Sequence, residues 1–319
     1  MPNLVLDFER PVVELEDKVA ELRNLSKTNK IDVTEEIAVF EKKLKETKQK
    51  VYLELTAWQR VQLARHPNRP YTLDYIERIF TDYMPLCGDR RFAEDPAVVG
   101  GFAKLDGEPV MVLGTQKGRE VKENVHRNFG CAHPEGYRKA LRLMQIADKA
   151  KLPILTFIDT PGAFPGVASE ERHIGEAIAV NLREMFSFTV PIVCTVIGEG
   201  GSGGALGIGV GNKILIMENA YYSVITPEGC AAILWKDRAF SAKAAEALRL
   251  TGTDLKELGI VDDIVHEPLG GADKDYTAAA ANLKKALLKQ LKSFVKMSDA
   301  EIKEQRYQKF RKLGAFLEQ

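Results

Sequence analysis

Two short segments of this 319-residue sequence have the residue types best suited to chemistry: Thr160-Pro161-Gly162-Ala163-Phe164-Pro165-Gly166 and Gly198-Glu199-Gly200-Gly201-Ser202-Gly203-Gly204. They offer almost no side chain able to act as nucleophile or base. What they offer is backbone, because glycine lets the main chain approach a ligand with no Cβ in the way. Gly203 and Gly204 are expected to open a helix continuing through Ala205, Leu206 and Ile208, which leaves their amides among the first-turn N–H groups without an intrahelical acceptor. Such donors stabilise an oxyanion, and removing one from an enzyme costs roughly 10²- to 10³-fold in rate. An enolate-forming reaction could run here without a catalytic side chain. The competing explanation is that the glycines only let a helix pack closely on a sheet.

Sharper motif readings fare worse. Gly200-Gly201-Ser202-Gly203-Gly204 formally fits G-x-S-x-G, but a hydrolase of that type needs an acid and then a histidine after the serine. The only downstream histidine is His266, and His173 as base is no better supported. Asp159-Thr160-Pro161-Gly162 resembles the magnesium-side motif of GTPases, yet no G-x-x-x-x-G-K-[ST] occurs in the chain. The glycine spacing also lacks the first-strand context of a dinucleotide site. His66, His126, His133, His173 and His266 show no metal-ligand spacing among themselves or with the cysteines, so no metal is assigned. Lys117, Arg119, Lys122, Arg127, Arg138, Lys139 and Arg142 form a basic stretch that could meet substrate phosphates, or could be a surface paired with residues such as Glu120 and Glu123.

The elements that position the two loops follow from periodicity. Ile154 to Asp159 and Pro191 to Ile197 are short unbroken apolar runs, expected as buried strands ending at each loop. Pro134 to Lys151 and Ser169 to Phe186 carry helical stripes. Strands alternating with helices imply parallel pairing and an α/β core, and ligands of such sheets gather beyond the strand C-termini. Ala97 to Leu105 and Pro109 to Gln116 read as a hairpin turned by Asp106-Gly107. The region from Val12 to about Arg65 reads as two amphipathic helices joined near Ser26 to Asp32, and His66-Pro67-Asn68-Arg69-Pro70 ends that unit. Ala278 to Gln319 returns to charged helix.

Lysine plus arginine equals aspartate plus glutamate at 45 each, so no global field draws nucleic acid or an anionic membrane. Cys87, Cys131, Cys194 and Cys230 are widely spaced with no CxxC pair, which suits a reducing cytoplasm. No run approaches the ~20 apolar residues of a membrane span, and the first residues lack a signal-peptide core. The expectation is a soluble, unexported protein without nucleic-acid or membrane partners.

Longer segments carry a resemblance. HPNRPYTLDYIERIF, GTQKGRE, EGYRKALRLMQIADK, FIDTPGAFPG and VIGEGGSGGALGIGVGNK resemble the alpha-subunit family of bacterial and plastid acetyl-CoA carboxylase carboxyltransferases, from LDFERP to QRYQKFRKLG. TPEGCAAILWK and LRLTGTDLKELGIVDDIV are similar to the wider crotonase superfamily. The resemblance implies an α/β crotonase-like spiral of ββα units over residues 70–270, a helical extension over 1–69 and a helical tail over 271–319. It implies that a biotin carboxyl carrier protein, loaded by an ATP-dependent biotin carboxylase, presents carboxybiotin to a pocket shared with a beta subunit in an alpha2-beta2 assembly. Acetyl-CoA would become malonyl-CoA, the first committed step of fatty acid synthesis. In this scheme Gly203 and Gly204 stabilise the biotin oxyanion, Gly162, Ala163, Phe164, Pro165 and Gly166 line the pocket, and Gly200, Gly201, Ser202 and Ala205 complete it. Zinc would sit on the beta subunit. Two alternatives stand beside this: a self-contained crotonase-type hydratase or isomerase using Glu199 or Glu228, and a structural subunit whose loops have lost their ligand.

If the paired amides do the work, Gly204→Pro removes one donor and distorts the helix start, and carboxyl transfer should fall by at least ~10²-fold; a folded variant of near-normal activity would sink the assignment of that loop.

Overall fold

The computed structural model describes residues 4–29 and 33–314. Its sheet is built from β1 (Thr81–Pro85), β2 (Val98–Leu105), β3 (Glu108–Thr115), β4 (Ile154–Thr160), β5 (Ile192–Gly201), β6 (Lys213–Met217), β7 (Tyr221–Ser223) and β8 (Asp263–Val265). The strands run in the order β1-β2-β3-β4-β5-β6-β8, and β7 pairs with β5. The first two pairings are antiparallel, and every pairing from β3 to β8 is parallel.

The helices are α1 (Arg10–Asn29), α2 (Thr34–Leu53), α3 (Ala57–Ala64), α4 (Thr72–Ile79), α5 (Val121–His126), α6 (Pro134–Lys149) and α7 (Val167–Glu171). They continue as α8 (Ile174–Ser187), α9 (Ser202–Leu206), α10 (Pro227–Leu234), α11 (Ser241–Leu248), α12 (Gly252–Glu257), α13 (Tyr276–Lys292) and α14 (Asp299–Arg311). No helix among the described residues is long and apolar enough to cross a membrane.

The β2–β3 hairpin turns where expected. Asp106 (φ 49°) and Gly107 (φ 88°) both take the left-handed conformation, as a two-residue turn matched to strand twist requires. β4 and β5 are buried at every position, so their unbroken apolar runs reflect cover on both faces. The expected helix over 134–151 stops at Lys149. The helix expected over 169–186 is two, α7 and α8, because His173 at φ 64° breaks it. α9 ends at Leu206, which leaves Ile208 outside it. The junction near Ser26 to Asp32 and the end of the C-terminal tail lie partly outside the described residues.

β5 departs most usefully from expectation. It runs on through Gly198 to Gly201 as strand: Val193–Val196 pair with β6, and Glu199–Gly201 pair with β7. One strand thus feeds two neighbours in succession, and the sheet changes partner at the glycines. β7 is distant in sequence, so no local pattern could announce the extension.

The C-terminal helix is tied in by one buried cation. Arg306 is fully buried and donates to the carbonyls of Met185 (2.6 Å), Phe188 (2.7 Å) and Val190 (2.7 Å) and to Asn212 Oδ1 (2.6 Å). Three of these acceptors are carbonyls at and just past the end of α8, where orphan acceptors and the helix dipole favour a cation. Arg306→Met would strand several buried acceptors, at about 1–3 kcal/mol for an unsatisfied group. It should lower the urea unfolding midpoint and free α14 to early hydrogen exchange, and an unchanged midpoint would show that the helix is held by apolar packing alone.

Candidate active site

β4 and β5 end side by side, with Thr160 opposite Gly200, and the chain leaves them in two segments that touch through backbone. A Cβ on Gly201 would lie 2.1 Å from the Pro161 carbonyl oxygen, and one on Gly204 would lie 2.4 Å from the Gly162 carbonyl carbon. Only glycine fits at either place. Gly203 differs, since a Cβ there would meet nothing closer than Ile178 Cδ1 at 3.7 Å, an ordinary contact. Packing does not require Gly203 to be bare.

The outer surface of the junction is formed by Gly162, Ala163, Phe164, Gly166 and Gly203, all half-buried, with Pro165 and Ser202 exposed. Gly200, Gly201, Gly204 and Ala205 lie buried beneath them. Gly203 and Gly204 sit in the first turn of α9, where their amides have no intrahelical acceptor, and neither donates to a neighbouring loop among the described residues. The facing loop is braced. The Thr160 hydroxyl accepts from the Gly162 amide (3.1 Å) and donates to the Gly162 carbonyl (2.7 Å). The Phe164 amide donates to the Ala132 carbonyl at 3.0 Å, and the Phe164 ring lies 4.2 Å from the His133 ring. An apolar groove of about 510 Å³ opens beside Ser202 and Gly203, walled by Leu206, Val224, Leu258 and Phe310.

Under the junction lies a buried ionic cluster that the sequence reading did not assemble. Lys117 Nζ bridges Asp159 Oδ1 (2.6 Å) and Glu199 Oε1 (2.8 Å), the last carboxylates of the two strands. Glu199 Oε2 accepts from Arg65 Nε (2.8 Å) and the Tyr221 hydroxyl (2.6 Å), and the Glu199 amide donates to Asp159 Oδ1 at 2.9 Å. Arg65 also grips Glu228 through two contacts of 2.5 and 3.3 Å. Gly198 leaves room for the cluster, since a Cβ there would fall 2.5 Å from Asp159 Oδ1. Burial works against the charge on Lys117, but Asp159 and Glu199 outweigh it and push its pKa up. Burial likewise opposes the Glu199 charge, yet Lys117 and Arg65 win and hold its carboxyl at about 2.

This geometry removes two alternatives. Glu199 is fully ionised at neutral pH with both oxygens engaged, and Glu228 is occupied by Arg65, so neither is poised as the acid or base of a hydratase. Ser202 has the left-handed conformation of a nucleophile elbow (φ 50°), yet no histidine hydrogen-bonds it among the described residues. His133 faces Ser169 at 2.7 Å, His66 faces the Leu4 carbonyl at 3.0 Å, and His266 faces Glu218 at 3.4 Å. The basic stretch is largely spent inside the chain: Arg119 on Asp74, Arg127 on Glu123, Arg138 on Asp89 and Lys139 on Glu94. Lys117 belonged to that stretch, but nothing in its spacing shows that it turns inward.

Comparison with known proteins gives the arrangement its class. Two solved structures share the architecture. A Pseudomonas malonate decarboxylase hetero-tetramer in complex with coenzyme A aligns over 74% of this chain and 91% of its own, with a TM-score of 0.60 at 15% identity. Transcarboxylase 12S aligns over 71% of this chain with a TM-score of 0.58 at 20% identity, and the matched part spans 42% of its length. The fold is that of the crotonase-like carboxyltransferases, with helices flanking the sheet. Residues 5–314 match the family described as acetyl co-enzyme A carboxylase carboxyltransferase-like. The acetyl-coenzyme A carboxylase carboxyl transferase subunit alpha of Geobacter metallireducens is 55% identical over 98% of both chains. That of Haemophilus influenzae is 57% identical over 97% of this chain and 98% of its own. The chain belongs to the acetyl-coenzyme A carboxylase carboxyltransferase alpha-subunit family.

The ionic cluster makes a signed pH prediction. Glu199 titrates at about 2 folded against an ordinary 4.5, so its stabilisation is complete above pH 4.5 and fades as pH falls toward 2. Lys117 is shifted upward from 10.5, so its contribution is complete below that pH and alkali removes it. Lys117→Met would leave the carboxylates of the bridge without their shared cation, at a cost of about 3–5 kcal/mol. The urea midpoint of the variant should lie below the parent's at neutral pH, and the gap should narrow as pH falls toward 2, where the parent loses the Glu199 contribution. A gap that stays constant across pH, or no gap at all, would contradict the bridge.

Proposed function

We propose that this chain holds the carboxyl donor in acetyl-CoA carboxylase, binding carboxybiotin at the junction of the β4 and β5 loops while a beta subunit holds acetyl-CoA. The observation that carries the reading is Gly203. Gly201 and Gly204 are glycine because backbone presses on them, whereas Gly203 between them is bare, half-exposed and carries an unengaged amide. Family membership supports the same reading through relatives named as carboxyl transferase alpha subunits.

The Gly203 and Gly204 amides would stabilise the negative charge that builds on the ureido oxygen as the carboxyl group departs. Gly162, Ala163, Phe164, Pro165 and Gly166 would form the facing wall, and Gly200, Gly201, Ser202 and Ala205 would set its position from beneath and beside. The groove at Leu206 and Val224 offers apolar cover for the ring system. Lys117, Arg65 and Tyr221 act as positioning residues, since they hold the strand ends that carry the loops. Bound carboxybiotin supplies the activated carboxyl group. No side chain at the junction is placed to take a proton from acetyl-CoA, so that step belongs to the beta half of the site or to the biotin itself.

In this reading the chain and a zinc-bearing beta subunit form a cytoplasmic alpha2-beta2 carboxyltransferase, which works with the carrier protein and the biotin carboxylase to make malonyl-CoA for fatty acid synthesis. Residues 70–270 form the carboxyltransferase core between helical extensions over 1–69 and 271–319, although Arg65 and Arg69 reach into the core across the first boundary. Arg69, fully buried, donates to the Ile197 carbonyl at 2.7 Å and pairs with Glu267.

The test is malonyl-CoA formation, or its reverse with free biotin as acceptor, measured for this chain alone, a cognate beta subunit alone and the two mixed. Activity in the mixture only is the expected outcome. Activity of this chain alone on an acyl-CoA, or an inactive but verified complex supplied with carboxybiotin, would overturn the proposal.

A further inference from the structure

A second cavity, of about 460 Å³, lies between α6, α8 and the loop around residue 90, away from the groove beside Gly203. Arg90, Arg91, Arg138, Arg142 and Arg183 all line it, against the carboxylates of Asp89 and Glu176. Asp89 is already occupied. Its Oδ2 accepts from Arg138 Nε at 2.8 Å, and its Oδ1 accepts from the amides of Arg91, Phe92 and Ala93 at 2.7–3.1 Å. Arg183 pairs with Glu184. Arg90, Arg91 and Arg142 have no salt-bridge partner among the described residues; of the nearby acids, Glu94 is taken by Lys139 and the Gly88 amide, which leaves Glu176 in the lining.

The arrangement is held against its own repulsion. Arg90 Nη1 and Arg142 Nη2 donate to the same neutral acceptor, the Cys87 carbonyl, at 2.9 and 3.0 Å, and Arg142 Nε donates to the Gly88 carbonyl at 3.0 Å. Burial and the nearby Arg90 charge push the Arg142 pKa down. Arg90 adopts φ 64°, a left-handed conformation that a long side chain rarely takes. A Cβ on Gly88 would meet the Arg90 guanidinium at 2.9 Å, so the glycine clears its path. Backbone strain of this kind, of order 1–3 kcal/mol, persists where the surroundings over-determine it and gathers at ligand sites. Guanidinium groups also match phosphate oxygens two at a time.

We propose that this cavity is a second ligand site that takes a pyrophosphate-class anion. Arg90 and Arg142 grip it from one side and Arg91 closes the mouth. The size is in the range of small-ligand pockets, roughly 300–1,000 Å³, and admits a diphosphate with part of a nucleoside. That chemistry has two sources, the phosphorylated adenosine diphosphate half of coenzyme A and a free nucleotide or inorganic pyrophosphate. The proposal does not depend on the glycine-loop assignment.

Calorimetric titration of inorganic pyrophosphate into the alpha–beta complex, and into the full chain, tests it. One saturable site per alpha chain is expected, weakened at least about tenfold in R90Q/R142Q, with unfolding temperature and circular dichroism as fold controls. R91Q, whose exposed side chain makes no polar contact among the described residues, should weaken binding by about threefold with the fold untouched; it carries the test if the double variant fails to fold. Competition by coenzyme A at lower concentration than pyrophosphate would assign the source to the coenzyme, and equal or weaker competition would assign it to the free anion. Three outcomes would overturn the proposal: no saturation at millimolar pyrophosphate, parent-like binding by the variants, or binding by the chain that vanishes in the complex. The last would give the arginines to the subunit contact.

Discussion

The ammonium of Lys117 is the constraint on which the junction rests. Two parallel strands that end side by side bring the buried Asp159 and Glu199 together, and two carboxylates so placed repel strongly at low dielectric. Lys117, reaching in from the segment after β3, converts that repulsion into a three-body bridge. Arg65 and Tyr221 then take the second oxygen of Glu199. Residues from α3, the β3 exit, β4, β5 and β7 thereby meet at one point, and the backbone above it inherits their fixed positions.

That bridge explains why the core cannot be treated apart from the helical segment before it. Arg65 follows α3 directly and Arg69 sits in the break before α4, yet both side chains end inside the sheet region, one on Glu199 and the other on the Ile197 carbonyl. A buried charge pair adds little net stability over an apolar replacement, but leaving one partner alone is costly. Such clusters therefore act mainly by excluding other arrangements. Here the excluded arrangements are those in which the ends of β4 and β5 slide or part.

Much of this was legible in the residues. The apolar runs at Ile154 and Pro191, the helix opening at Pro134 and the Asp106-Gly107 turn each obey local rules, and the structure follows them within a few residues. β5 continues through its glycines because β7 pairs with it, and Lys117 turns inward to two carboxylates on other strands. Both are decided by partners distant in sequence, which periodicity and propensity do not sense. α7 and α8 separate at a left-handed histidine, a single backbone conformation inside an otherwise unbroken helical stripe. The resemblance to a family supplied the spiral architecture, which local pattern alone reduced to parallel strands covered by helices.

The glycines show why a count of small residues is a poor guide to chemistry. Gly198, Gly201 and Gly204 look alike in sequence, and each is explained by something pressing on it: a carboxylate, the Pro161 carbonyl and the Gly162–Ala163 backbone. Their absence of side chain is a packing requirement first. Gly203 alone in α9 has space for a methyl group and none in place. The close-packing explanation and the ligand-approach explanation are therefore both right, at different residues. The packed glycines lock two strand ends into backbone contact, and that contact holds the amide of the unpacked one at the surface, aimed by a rigid sheet and not by a mobile loop.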